Sequence, residues 1–151
     1  MYITLATTEH INYITHALAP KAIDYIKPSQ VKEDILQGRL YVIIHEGKPI
    51  AQCALVEETA HNYTAMKRMV IYRKDNKIHG IANMFIEFFS RLDCAIGATP
   101  WTENEKMKHV LRKHGFEYQY TFLEKYEFFL KNPLTNDKKY GIIRYQRKRG
   151  T

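Results

Sequence analysis

Six residues, Lys77-Ile78-His79-Gly80-Ile81-Ala82, join a cation, a glycine and the start of an apolar helix. Such a run can hold a phosphate. The first amides of a helix have no intrahelical acceptor, and the helix dipole puts partial positive charge at the same end. Without a Cβ at Gly80 the backbone can approach an anion closely. Arg73, Lys74 and Lys77 make the approach cationic. Proton transfer needs other side chains, and Glu57, Glu58 and His61 supply them upstream. A carboxylate or an imidazole can take a proton directly or through a water. Strand alternation would turn only one of the two glutamates inward, and all three residues equally suit a solvated surface.

These residues must be positioned by the elements around them. Alternation marks a first strand over YITLAT, and Thr8 offers an N-cap for a helix running to about Leu18. Pro28-Ser29 opens a second helix, closed by Gly38. RLYVIIH and IAQCALVE read as strands joined by Glu46-Gly47-Lys48-Pro49, and TAMKRMVIY as a further strand. After the glycine, Ile81, Met84, Phe85, Phe88, Phe89 and Leu92 fall on one helical face, with Asn83, Glu87 and Arg91 opposite. A short strand over Cys94–Ala98, a helix from about Glu103 to His114 and two aromatic strands near 116–122 and 125–130 follow. Tyr140–Gln146 is a possible extra strand. The order β-α-α-β-β-β-α-β-α-β-β predicts a mixed sheet with packed helices, an α+β fold.

The 151 residues suit one domain with a core of its own, at 45% hydrophobic and 26% charged. Cys53 and Cys94 sit in apolar runs and read as buried thiols of a reducing compartment. The absence of a membrane-length apolar run or a signal-peptide pattern makes a cytoplasmic protein without membrane attachment the expectation. His10, His16, His45, His109 and His114 lack ligand spacing, so no metal is expected. The net charge of +7 is concentrated at the C-terminus, where seven Lys/Arg from Lys131 onward face Asp137 alone. That extension reads as a solvated terminus, with nucleic-acid contact as the alternative.

The pattern resembles the GNAT superfamily of acyl-CoA-dependent N-acetyltransferases, whose pyrophosphate loop reads Gln/Arg-x-x-Gly-x-Gly/Ala between the fourth strand and the third helix. Lys77, Ile78, His79, Gly80, Ile81 and Ala82 match that loop, with Lys77 retaining a cation in place of Gln or Arg. Asn104 stands eleven residues before Gly115-Phe116, as in many family members. The resemblance spans residues 1–131 and leaves 132–151 as a basic extension. It implies a twisted, mostly antiparallel sheet splayed between its fourth and fifth strands, with helices on both faces. It further implies acetyl-CoA as co-substrate. Backbone at Val70, Ile71 and Tyr72 would meet the pantetheine arm and thioester, and Asn104 would join the cofactor site.

The activity so implied is acetyl transfer to a primary amine of a small molecule or protein, by direct attack in a ternary complex. Many members place a Tyr acid four residues before the Gly-Phe pair, where this chain has Leu111. Tyr118 or Tyr120, just after the turn, could substitute, although a thiolate can also leave without much help from an acid. Lys67-Arg68 stand where some members carry a basic glutamate, which leaves Glu57, Glu58 and His61 for that role. Asp24 and Glu33 could meet a cationic acceptor. The alternative is a GNAT-fold binding or assembly protein without catalysis; some small phage-encoded proteins also resemble the chain in lacking the Tyr. Either a monomer or a homodimer would serve.

Overall fold

The computed structural model describes residues 1–18, 26–72 and 78–133. Asp24, Lys77, the strand expected over 140–146 and the extension from residue 134 lie outside the described residues. The elements follow the expected order: β1 (Tyr2–Leu5), α1 (Ile11–Leu18), α2 (Pro28–Leu36), β2 (Leu40–His45), β3 (Lys48–Glu58), β4 (Tyr63–Ile71), α3 (Ile81–Ser90), β5 (Ile96–Ala98), α4 (Glu105–Lys113), β6 (Glu117–Phe122) and β7 (Tyr126–Lys131). The seven strands are ordered β1-β2-β3-β4-β5-β7-β6. The β4–β5 pair is parallel, whereas β1–β2, β2–β3, β5–β7 and β6–β7 are antiparallel. The fold is α+β. The chain divides into two compact units, residues 1–55 with 67–81, and residues 56–66 with 82–151.

The first unit is built on β2, whose run LYVIIH lacks polar alternation and is buried along nearly its whole length. Glu46 and Gly47 both have positive φ (51° and 77°), the geometry of a two-residue hairpin turn that matches strand twist. The turn is tighter than the four residues read from sequence, and Pro49 belongs to β3. It sits where the register shifts between Ile43 and Ile44, so its missing N–H falls at an irregularity of the ladder. Pro28 opens α2 at a position where its missing N–H costs no helical bond. The α1 end departs from expectation by one residue. Thr8–His10 forms a 3-10 turn, and the Thr7 N–H donates to His10 Nδ1 at 3.0 Å.

The second unit begins where β3 ends and holds the first half of β4. There β4 runs beside β5 through Thr64↔Ile96 and Ala65↔Gly97. Gly97 is fixed by packing: a Cβ would lie 2.6 Å from the Tyr63 ring and 2.8 Å from Phe128. Phe85, Ile86, Phe89, Leu111, Phe116 and Phe129 form the core. Lys108 on α4 is almost wholly buried and reaches Glu127 on β7 at 2.8 Å and Glu105 at 2.9 Å. A buried ammonium needs such partners, and the bonds to Glu127 and Glu105 raise its pKa against the opposing effect of burial.

Candidate functional site

The turn at the head of α3 has the features a phosphate cradle needs. Gly80 adopts φ +82°, a left-handed conformation that side chains with a Cβ disfavour. No described residue lies within 4 Å of where its Cβ would be. The glycine therefore serves backbone geometry, and the space in front of it is open among the described residues. His79 and Gly80 are exposed, Ile78 and Ala82 are half-buried, and Ile81 is buried, so the helix is anchored immediately behind its open end.

Upstream, the end of β4 alternates as a half-buried strand, with Val70 and Tyr72 inward and Ile71 outward. The Tyr72 N–H donates to the Ile50 carbonyl at 2.8 Å. Its amide is thus engaged within the sheet, which narrows what Tyr72 can offer a cofactor. The same stretch carries a feature that the sequence did not announce. Arg68, in mid-strand, has φ +55°. Its carbonyl accepts from Gln52 Nε2 at 3.0 Å, and Gln52 Oε1 accepts from the Tyr72 hydroxyl at 2.7 Å. The Arg68 guanidinium donates from Nε and Nη2 to both oxygens of Asp34, at 2.6 and 2.8 Å. Arg39 Nε adds a bond of 2.7 Å to Asp34 Oδ1. Asp34 and Gln52 are both fully buried.

The residues suited to proton transfer lie in the second unit. Glu57 and Glu58 end β3 half-buried, and His61 is exposed in the 3-10 turn Thr59–His61. Tyr63, two residues beyond His61 and not singled out by sequence, joins the group. Its ring packs on Phe128 at 5.1 Å and lies 6.5 Å from His61. Burial raises its pKa first, with the charges of Glu58 and Tyr120 adding to the effect. The phenol is therefore held protonated, the state a proton donor needs. Tyr118 is exposed, and its hydroxyl is paired with Thr121 Oγ1 at 2.8 Å. Leu111 is fully buried in the core of this unit.

Asn104 caps α4, its Oδ1 accepting from the Met107 N–H at 3.1 Å. Its amide nitrogen and the second lone pair of Oδ1 are left to meet a ligand. His114, which the sequence marks only as a histidine without ligand spacing, bonds through Nε2 to Asn83 Oδ1 in the first turn of α3 at 2.8 Å. Among the described residues no group of three or more His, Cys, Asp or Glu could hold a metal ion, and no helix is long and apolar enough to cross a membrane.

No family model matches the sequence, and no curated protein matches it significantly. Solved structures do. A GNAT-family acetyltransferase from Bacillus cereus ATCC 10987 superposes with a TM-score of 0.72 at 15% identity, covering 89% of this chain and 98% of that one. One from Streptococcus agalactiae 2603 gives 0.69 at 18% identity, covering 89% and 96%. The aminoglycoside acetyltransferase AAC(6')-Ib, in complex with coenzyme A and kanamycin, gives 0.63 at 16% identity, covering 86% and 93%. Together with the strand order and the glycine turn, these likenesses show that the chain has the GNAT acetyltransferase fold.

Proposed function

We propose that the protein is an N-acetyltransferase that moves the acetyl group of acetyl-CoA to a primary amine by direct attack. The observation that carries this reading is Gly80 at φ +82°, heading α3 between β4 and β5 of a GNAT fold, with no described residue within 4 Å of where its Cβ would be. Residues Ile78–Ala82 would hold the pyrophosphate, chiefly through backbone amides. Val70–Tyr72 would line the pantetheine arm. The coenzyme A complex of a protein with this fold supports the assignment. Acetyl-CoA supplies the activated thioester, and the protein supplies proximity and proton transfer. Glu58 and His61 are suited to take the ammonium proton through water, and Tyr63 to give one to the departing thiolate.

The test is calorimetric titration with acetyl-CoA, followed by thiol release across a panel of amines. No binding at high micromolar concentration overturns the cofactor assignment. A second reading, a CoA-binding module without transfer, draws on Leu111, whose buried alkyl side chain occupies the position expected of the acid. Binding without thiol release for any amine would favour it.

A further inference from the structure

A residue other than glycine at positive φ inside a strand is uncommon, and it persists only where its surroundings over-determine it. Arg68 is such a residue, and both of its ends are held. On the backbone side, Gln52 donates to its carbonyl at 3.0 Å and is itself steadied by the Tyr72 hydroxyl at 2.7 Å. Gln52 thus brackets β4 from Arg68 to Tyr72, with Met69, Val70 and Ile71 between. On the side-chain side, the guanidinium grips both oxygens of Asp34, which a second arginine also binds. Gln52 and Asp34 are fully buried, so both bonds are shielded from bulk water at one end. An apolar residue would fill the Gln52 site at no desolvation cost, but it could not hold the Arg68 carbonyl.

We propose that Gln52 and Asp34 are positioning residues: they lock the left-handed kink at Arg68 and so fix the line along which the Val70–Tyr72 backbone meets the cofactor. The inference rests on the cofactor reading of that segment. A ligand-free measurement separates the two.

The experiment uses the full chain with Gln52→Met, close in volume, and Tyr72→Phe, which removes only the anchor. Hydrogen exchange of peptides covering 69–72 is compared with peptides covering β2, alongside acetyl-CoA calorimetry and urea unfolding. In folded Gln52→Met, exchange over 69–72 should quicken about tenfold while β2 is unchanged. Acetyl-CoA affinity should fall about three- to tenfold, the worth of one hydrogen bond. Tyr72→Phe should move both readouts the same way by less, and it decides the matter if Gln52→Met fails to fold. Unchanged exchange over 69–72, unchanged affinity, or quickening spread equally over β2 overturns the proposal. If the unsubstituted protein binds no acetyl-CoA, the cofactor reading and this positioning role fall together, and the exchange data then report a clamp on the strand alone.

Discussion

Gly80 holds its place by backbone angle and not by crowding, and this changes what substitution there should do. Alanine would meet no described neighbour, yet would be forced to φ +82° or would move the turn. Gly80→Ala should cost about 1–2 kcal/mol in urea unfolding, the usual penalty of a left-handed alanine. It should weaken acetyl-CoA binding as well, since either response disturbs the amides at the head of α3. Full affinity in a destabilised Gly80→Ala protein would detach the turn from the cofactor. Tyr63 permits a cleaner separation. Tyr63→Phe keeps the ring on Phe128 and removes only the hydroxyl. Thiol release should drop about 10²-fold, the usual share of one acid–base group, with acetyl-CoA affinity unchanged. An unaltered rate would return the proton-donor role to Tyr118, Tyr120 or water.

Elements were legible where one period governed them. The apolar stripe from Ile81 to Leu92 marks α3, and the unbroken apolar run of β2 marks a buried strand. The glycine turn was readable because glycine at a helix start asks for an explanation. Arg68 gave no such signal, for arginine has no local preference for positive φ. The reason for its conformation lies 16 residues away at Gln52 and 34 away at Asp34. Asp34 gave no signal either, since the arginines that bind it stand at positions 39 and 68. Gly97 is a similar case, since β5 is only three residues long and the glycine is explained by Tyr63 and Phe128. Gly97→Ala should destabilise the protein by about 1–3 kcal/mol through overpacking. Adding Tyr63→Ala should recover part of that loss, and strict additivity in the double-mutant cycle would refute the contact as the cause.

For the whole molecule, alkaline pH is the informative direction. Burial raises the pKa of Cys53, of Tyr72 and of Cys94, the last from 9.0 to about 12 with Asp93 adding to the effect. Above pH 9 the unfolded chain releases thiol protons that the folded protein keeps. Their contribution is therefore complete below pH 9 and declines as pH rises, by about 1.4 kcal/mol per pH unit for each fully shifted thiol. The urea midpoint should fall between pH 8 and 10.5, and Cys53→Ala with Cys94→Ala should flatten the fall. An equal slope in the double variant would assign the loss to other groups, Tyr72 first among them. The same burial has a practical consequence at neutral pH. Disulfide reagents attack thiolates they can reach, and both cysteines are held as buried thiols. Any coenzyme A released in the thiol-release test can then be counted colorimetrically against a silent protein background, and slow colour from the protein itself becomes a clock for its unfolding.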